Sequence, residues 1–378
     1  MSPLDQAIEL TRSLLRYDTT NPPGNEQPCA EFLAGLLADA GFTTTLHQLA
    51  PGRASLVAYL GNGQGRPLCF TGHLDTVPLG QAPWSTDPFA GEIRDGRLYG
   101  RGSSDMKAGV ATFITAALQE RRLIADAPGV VLVLTASEET GCQGAAALLR
   151  DGVDQHNAGA IIVGEMTANY PLIGHKGALW LKLGARGKSA HGSMPERGDN
   201  ALYKVARALG KIERYQVPAP QHPVLGGTSI SAGTLHAGSS INVVPDLAEL
   251  CVDIRSLPGM CHATTRDTLL AELQPDICEA QAVLDLPAVF TAIDAPWIAA
   301  VYGITEEVTG IRPEPRGASY FTDACALQHA HPGVPIVILG PGTPHMAHQT
   351  DEYCEIARID EALRLYRRLI SHWCTPTT

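Results

Sequence analysis

His73 and Asp75 stand two residues apart at the end of the run Leu68-Cys69-Phe70-Thr71-Gly72-His73-Leu74-Asp75. Leu68 to Thr71 reads as a short buried strand, and Gly72 frees the backbone behind it. Side chains at i and i+2 of an extended segment project to the same side, so an imidazole and a carboxylate emerge together where the strand runs out. A metal-ligating His usually donates its second ring N–H to a carboxylate, which fixes the tautomer and raises basicity; this spacing serves both. With His73, four further residues of ligand type, Asp105, Glu139, Glu165 and His348, fall at predicted strand ends or in adjoining loops. Three carboxylates and two imidazoles suit a pair of divalent ions, most simply zinc, sharing one bridging carboxylate. Two ions about 3.5–4 Å apart hold a water as hydroxide and polarise a carbonyl oxygen at the same moment. The water must still lose a proton and a leaving nitrogen must gain one, so a free acid is needed beside them. Glu138, next to Glu139 in Ser137-Glu138-Glu139-Thr140, has that position, because neighbouring side chains diverge and one can ligate while the other faces substrate.

The elements that must position these residues alternate. Ser2-Pro3-Leu4-Asp5 is a capping box with Pro at the first helical position, followed by Leu4, Ala7, Ile8, Leu14 and Leu15 at helical spacing, with Thr11 the one polar residue on that stripe. Asn21-Pro22-Pro23-Gly24-Asn25 breaks the chain, and a second helix carries Phe32, Leu33, Leu36 and Leu37 up to Gly41. Strands are predicted at 43–49, 55–60 and 68–71. Gly61-x-Gly63-x-Gly65 lies between strands and reads as a hairpin loop, since its spacing and the following strand do not match a dinucleotide fingerprint. A helix is predicted from Ala108 to about Glu120. Val130 to Leu134 and Ala160 to Val163 are continuous apolar runs, the mark of strands covered on both faces; they end in Ser137-Glu138-Glu139-Thr140-Gly141 and Gly164-Glu165. Such alternation predicts an α/β fold with a mixed, mainly parallel sheet covered by helices, whose sites gather at the strands' C-terminal ends. Every ligand-type residue named above is expected at or just after such an end.

The texture changes near residue 177. A strand at 178–185, a helix at 200–215, strands at 228–235 and 247–254 and a helix at 264–273 give the β-α-β-β-α-β order of a ferredoxin-like unit, its last strand unassigned. Gly187-Lys188-Ser189 is no phosphate loop, because Lys182 stands where the first glycine belongs. The α/β texture returns with a helix near 297–308, a strand at 335–339 and a last amphipathic helix at 356–373. The expected organisation is a catalytic domain in two segments, 1–176 and 291–378, with a smaller domain, 177–290, inserted between them. An unpaired outer strand in that small domain invites edge-to-edge pairing with a second copy, so a homodimer through it is expected.

Bulk properties exclude whole classes. The chain has 378 residues with 44% apolar and 18% charged content, ordinary for a globular protein of two or three domains. A formal net charge of −11 argues against nucleic-acid and anionic-membrane partners, which call for a basic face. No apolar run reaches the roughly 18 residues of a membrane span, and the N-terminus has no signal-peptide pattern. Nine cysteines without a Cys-x-x-Cys pair suit a reducing cytoplasm.

The motifs G-H-L-D-T-V-P, Y-G-R-G-S-S-D-M-K, S-E-E-T-G, V-G-E, G-K-S-A-H-G-S and A-H-Q-T-D-E-Y, in this order along essentially the whole chain, resemble those of the dinuclear zinc peptidases and deacylases. That family includes acetylornithine deacetylase, succinyl-diaminopimelate desuccinylase, aminoacylase and the glutamate carboxypeptidases. The resemblance implies a zinc-exopeptidase-like fold with a lid and dimerisation domain. It also implies that Asp105 bridges two ions, zinc or cobalt, with His73 and Glu165 completing one and Glu139 and His348 the other. Glu138 is then the general acid/base, Asp75 orients His73, and the Asp105–Met106 peptide is cis. In the inserted domain His191 matches an oxyanion-stabilising histidine supplied by a dimer partner, and Asn242 and Arg255 match residues that bind the substrate carboxylate. From the residues alone Arg255 also reads as an edge-strand charge paired with Asp253, and His345 as a surface residue. His175 and Lys176 read as hinge residues. Met166-Thr167 after Glu165 departs from the family's usual Pro and small hydroxyl. V-D-I-R-S-L-P-G-M, L-G-P-G-T-P-H-M-A-H-Q-T-D-E-Y and Ala318-Ser319-Tyr320-Phe321-Thr322-Asp323 are closer to the acetylornithine deacetylases than to the desuccinylases. The implied reaction is hydrolysis of the amide of a small N-acyl amino acid such as N-acetylornithine. Succinyl-diaminopimelate or a dipeptide is the alternative substrate. A binding protein that has lost its chemistry is the rival outside the enzymes, and an intact Glu138 with all five ligands speaks against it.

Overall fold

A computed structural model describes residues 1–375. They divide into two compact units, one of residues 1–174, 290–316 and 322–375, the other of residues 175–289 with the short segment 317–321.

The larger unit is built on a six-stranded sheet in the order Thr43–Ala50, Arg53–Leu60, Val130–Thr135, Leu68–His73, Ala160–Val163, Ile336–Ile338. The last four run parallel to one another and the first two antiparallel. Every residue of those four parallel strands is buried, as continuous Val, Ile and Leu runs covered on both faces require. Helix Ala108–Gln119 lies against the sheet, and helices Pro3–Leu15 and Ile356–Cys374 pack on that helix. Phe70, Phe113 and Tyr366 meet between them with ring centroids 5.4–6.3 Å apart, and the Tyr366 hydroxyl donates to the Leu339 carbonyl at 2.6 Å. The first helix opens as expected: Ser2 Oγ accepts from Asp5 N, and Asp5 returns the bond to Ser2 N at 2.9 Å. The polar Thr11 on its inner face is satisfied by the Ala7 carbonyl at 2.7 Å.

Three expectations for the larger unit need correction. The Gly61–Gly65 segment is not a hairpin loop: the strands on either side of it both pair with Val130–Thr135, which lies between them. A buried apolar strand from later in the chain displaced the local pairing, something a turn motif does not report. In the second helix, Gln27–Asp39, the inner face is Cys29, Ala30, Leu33 and Leu37, while Phe32 is 37% exposed and rests against Tyr17. Asp105 does not follow a strand of the main sheet. It lies in the turn Ser103–Lys107 beyond Arg97–Tyr99, which belongs to a separate three-stranded sheet with Ile93–Arg94 and Tyr353–Glu355.

The smaller unit has the β-α-β-β-α-β order, completed by Glu279–Leu286, the strand that had no sequence assignment. Its antiparallel sheet runs Ser229–Ala237, Leu247–Ser256, Gly177–Arg186, Glu279–Leu286. Helices Ala201–Ile212 and His262–Leu273 share one core with the Leu179, Leu181, Leu183, Leu250, Val252 and Ile254 face of that sheet. Arg255 is therefore on an inner strand, not on an edge. Among the described residues, no helix is long and apolar enough to cross a membrane.

Candidate functional site

The parallel strands end in one place. His73 closes its strand; Glu138 and Glu139 follow Thr135, Glu165 follows Val163, and the loop after Ile338 carries His348. Close backbone approach holds these ends together. A Cβ on Gly72 would stand 2.4 Å from Met106 Cε, and one on Gly109 2.0 Å from the Gly164 carbonyl. Glycine there lets the turn bearing Asp105 and the helix after it press against the strands bearing His73 and Glu165.

Asp105 is the hub. Its Oδ1 lies 3.1 Å from His73 Nε2, and its Oδ2 lies 3.3 Å from His348 Nε2. His73 Nε2 is also 3.6 Å from Glu165 Oε1, and His348 Nε2 is 3.1 Å from Glu139 Oε2. One carboxylate thus presents an oxygen to each of two imidazole–carboxylate pairs. Two sets of donor atoms, from His73, Asp105 and Glu139 and from His73, Glu138 and Glu165, lie within 4.8 Å of one another. Glu139 Oε1 and Glu165 Oε2 are buried without a hydrogen-bond partner. The Asp105–Met106 peptide is cis, and Ser137 and His348 sit at φ 62° and 64°, the left-handed region that few non-glycine residues adopt.

Crowding of like charge dominates the electrostatics. Burial, and then the neighbouring carboxylates against the pull of His73, push Glu138 and Glu165 well above the ordinary range. Burial and Asp105 raise Glu139 to about 7. Burial disfavours charge on His73, yet the bond to Asp105 and the carboxylates of Glu165, Glu138 and Asp75 lift it well above an ordinary imidazole. Hydrogen bonds to Asp105 and Glu139 take His348 to about 10, and burial of Asp105 is outweighed by its bonds to the two imidazoles, so its pKa falls. Carboxyl groups drawn this close, with unpaired oxygens among them, form a site whose charged form a cation would stabilise.

Asp75 acts differently from a simple carboxylate clamp on His73. The ring's Nδ1 donates to the Asp75 backbone carbonyl at 2.9 Å, with the carboxylate 3.6 Å away. That carboxylate accepts from Glu138 N at 3.0 Å, Glu139 N at 3.2 Å and Asn21 Nδ2 at 2.8 Å, so it fixes the turn carrying both glutamates. In the smaller unit, His191 and Asn242 lie on adjoining exposed loops, joined by Gly192 N donating to the Asn242 carbonyl at 2.7 Å. The His191 Nδ1 accepts from Ser193 N at 3.1 Å, so Nε2 is the ring atom left to donate. Arg255 donates from Nε and Nη2 to Asp253 Oδ2 at 3.1 and 2.9 Å. His345 is exposed.

Several contributors escaped the sequence reading. Glu352, fully buried, accepts from Arg101 Nη1, Gly102 N, Ser104 N and Asp105 N at 2.7–2.9 Å. It thereby sets the turn that carries Asp105. Arg101 and Glu352 both lie inside motifs singled out above, so the signal was present. Asn21 looked like a chain breaker. Asp323, buried, takes a short hydrogen bond from Thr135 at the end of the strand leading to Glu138, and its Oδ1 has no partner. A Ser256–His262–Asp285 chain in the smaller unit, with 2.7 and 2.6 Å links, imitates a hydrolytic triad. Its serine is 1% exposed and no acyl group reaches it, so it ties a strand end to a helix start.

Comparison with known proteins agrees with this geometry. A family model described as peptidase family M20/M25/M40 matches residues 69–372. The chain is 32% identical to acetylornithine deacetylase of Edwardsiella ictaluri over 98% of this chain and 97% of that protein, and 31% identical to that of Vibrio cholerae over 96% of each. Its fold is similar to an M20 family metallo-carboxypeptidase of Sulfolobus solfataricus (TM-score 0.82, 18% identity, 98% and 99% of the two chains). It is also similar to a dinuclear metal-binding M20 peptidase of Bacillus subtilis (TM-score 0.69, 14% identity, 97% of each chain).

Proposed function

Because the chain belongs to peptidase family M20/M25/M40 and is a metal-dependent hydrolase, we propose that it deacylates a small N-acyl amino acid, first of all N-acetylornithine, the arginine precursor. The observation that carries this reading is the Asp105 carboxylate turned with one oxygen to His73 and the other to His348, beside unpaired buried oxygens of Glu139 and Glu165. Those donors fit two divalent cations: His73 and Glu165 at one, Glu139 and His348 at the other, Asp105 between them. Zinc, or cobalt in its place, suits mixed imidazole and carboxylate donors. Such ions supply Lewis acidity toward the amide carbonyl and lower the pKa of a water.

The protein's own groups do the rest. Glu138 takes the proton of the attacking water and returns it to the leaving nitrogen. The Asp75 carboxylate, bonded to the amides of Glu138 and Glu139, keeps the two glutamates in separate roles. Asn242 and Arg255 hold the substrate carboxylate, and His191, donating from Nε2, stabilises the oxyanion in a second copy of the chain. Nine unpaired cysteines suit a cytoplasmic enzyme.

The test is hydrolysis across N-acetylornithine, N-succinyl-diaminopimelate, N-acetylcitrulline and simple N-acetyl amino acids. Expected are preference for an N-acetyl amino acid, loss of activity on chelation and its return with zinc or cobalt. Turnover of the succinyl compound alone moves the assignment to the desuccinylases. Full activity with no transition metal by elemental analysis removes the metal chemistry.

The homodimer has its own check. The outer strand Ser229–Ala237 is largely exposed, and Leu235, Ile241, Val243 and Leu247 present apolar side chains to solvent, Ile241 fully. Light scattering is expected to give two copies for the wild type and one for Leu235→Lys/Ile241→Asp, with kcat lowered more than KM is raised as His191 is withdrawn. A wild-type monomer at full activity overturns the arrangement.

A further inference from the structure

The sheet of the smaller unit has two unlike faces. One packs on its helices; the other carries Trp180, Lys182, Glu249, Asp253 and Arg255, since Trp180 is directly opposite Asp253 and Arg255 follows two residues on. At one end of this face Lys182 and Glu249 make an ordinary solvated pair at 3.0 Å, each about 40% exposed. The other end is occluded. The Phe321 ring stands 6.3 Å from that of Trp180 and 5.7 Å from the Arg255 guanidinium carbon. The backbone of Ala318 pairs with that of His175 and accepts from Lys176 N.

Three polar atoms at this end of the face, Trp180 Nε1, Arg255 Nη1 and Asp253 Oδ1, are buried and unpartnered, and so is Nε2 of His175, whose backbone bridges Ala318 beside them. Asp253 spends one oxygen, Oδ2, on both Nε and Nη2 of Arg255, which leaves its other oxygen and Nη1 free. His175 is fully buried. Its Nδ1 donates to the Lys176 carbonyl at 2.8 Å, so Nε2 presents a lone pair. Burial, with the Arg255 charge nearby, brings this imidazole down to about 4, and it stays neutral near pH 7. The inventory is therefore two N–H donors and two acceptors, one of them anionic. Buried groups of this kind are normally satisfied, and leaving them unpaired destabilises the fold. A cluster with both polarities open matches a molecule carrying an anion and a cation together.

We propose that Trp180, Asp253 and His175 form, around Arg255, a subsite selective for N-acyl amino acids with a free carboxylate and a protonated side-chain amine. The inference rests on the deacylase reading above, which supplies the carboxylate contact to Arg255; the further assignments are Trp180 as second carboxylate donor and Asp253 with His175 as the ammonium acceptors. A neutral side chain leaves Asp253 Oδ1 and His175 Nε2 unpaired, and that penalty, more than any added attraction, makes the discrimination.

The experiment compares N-acetylornithine with N-acetylnorvaline, the same carbon chain without the amine, on the zinc-loaded enzyme. The wild type is expected to favour the amine by about tenfold or more in kcat/KM. Asp253→Asn keeps an oxygen for Arg255 but loses the charge, and the preference should fall to near one. Trp180→Phe keeps the ring contact and loses the N–H; KM should rise by roughly tenfold for both substrates with kcat little changed. Calorimetric binding of ornithine and norvaline to the same proteins without metal reads the subsite apart from catalysis, and ornithine should bind the wild type more tightly than it binds Asp253→Asn. A preference that survives Asp253→Asn, a wild-type KM in Trp180→Phe, or equal binding of the two free amino acids overturns the inference. If the wild type hydrolyses neither substrate yet binds ornithine selectively, the subsite stands and the deacylase reading fails.

Discussion

Glu138→Gln leaves metal content and melting temperature near those of the wild type while kcat falls by roughly 10²–10⁴-fold or more, the range of a lost general acid/base. Glutamine keeps the size and one acceptor oxygen and removes only basicity. Glu138 is buried at 5% exposure with the Cys142 sulfur 3.8 Å from Oε1, and the Asp75 carboxylate fixes its backbone, so the substitution disturbs little around it. Glu139→Gln has a different expected result. Its Oε2 is 3.1 Å from His348 and its Oε1 is buried without a partner. Removing that charge should weaken metal binding, and excess zinc should partly restore activity. Geometry alone permits exchange of the two roles, because Glu138 also lies within ligand reach of His73 and Glu165. Metal stoichiometry and kcat measured side by side separate the cases: metal lost from Glu138→Gln and kept in Glu139→Gln would mean that the two glutamates have exchanged roles.

What could be read in the sequence follows from how local each determinant is. Four parallel strands declared themselves because burial on both faces leaves uninterrupted apolar runs, and the residues after them inherit a common edge of the sheet. His73, Glu138, Glu139 and Glu165 were legible for that reason. The order of strands was less so: Val130–Thr135 enters between Arg53–Leu60 and Leu68–His73, and pairing over that separation leaves no mark in the intervening glycines. Asp105 was identified by its motif but misplaced, since what fixes it is a side chain 247 residues further on. The free atoms around Arg255 were invisible for a related reason. Asp253 advertised itself as Arg255's local partner, and only the register with Trp180 and the return of Phe321 show that the pair is half unspent. Charge types are written locally, whereas satisfaction of their bonds is a property of the fold.

Glu352→Gln should destabilise the larger unit by about 3–5 kcal/mol, the usual consequence of removing one member of a buried ion pair, and should weaken metal binding as well. Glu352 Oε2 accepts from Arg101 Nη1 and Gly102 N, and Oε1 from Ser104 N and Asp105 N. An amide in its place turns one acceptor into a donor facing two N–H groups, whichever way it is rotated, and leaves a guanidinium that is 2% exposed without its counter-charge. The backbone amides at risk belong to the turn that carries Asp105, so the same change loosens the carboxylate between His73 and His348. Arg101→Met provides the comparison. It also breaks the ion pair, yet Glu352 keeps three backbone donors, which stabilise a carboxylate, and the turn keeps its shape. Denaturant unfolding and zinc titration of both variants are the measurements. Both proteins should unfold earlier than the wild type, but only Glu352→Gln should lose zinc affinity, by roughly the 10–100-fold seen when groups supporting a ligand are removed. Equal zinc affinity in the two variants would mean that Glu352 serves the fold through Arg101 alone, and that Asp105 is held by something other than its bonds to Glu352.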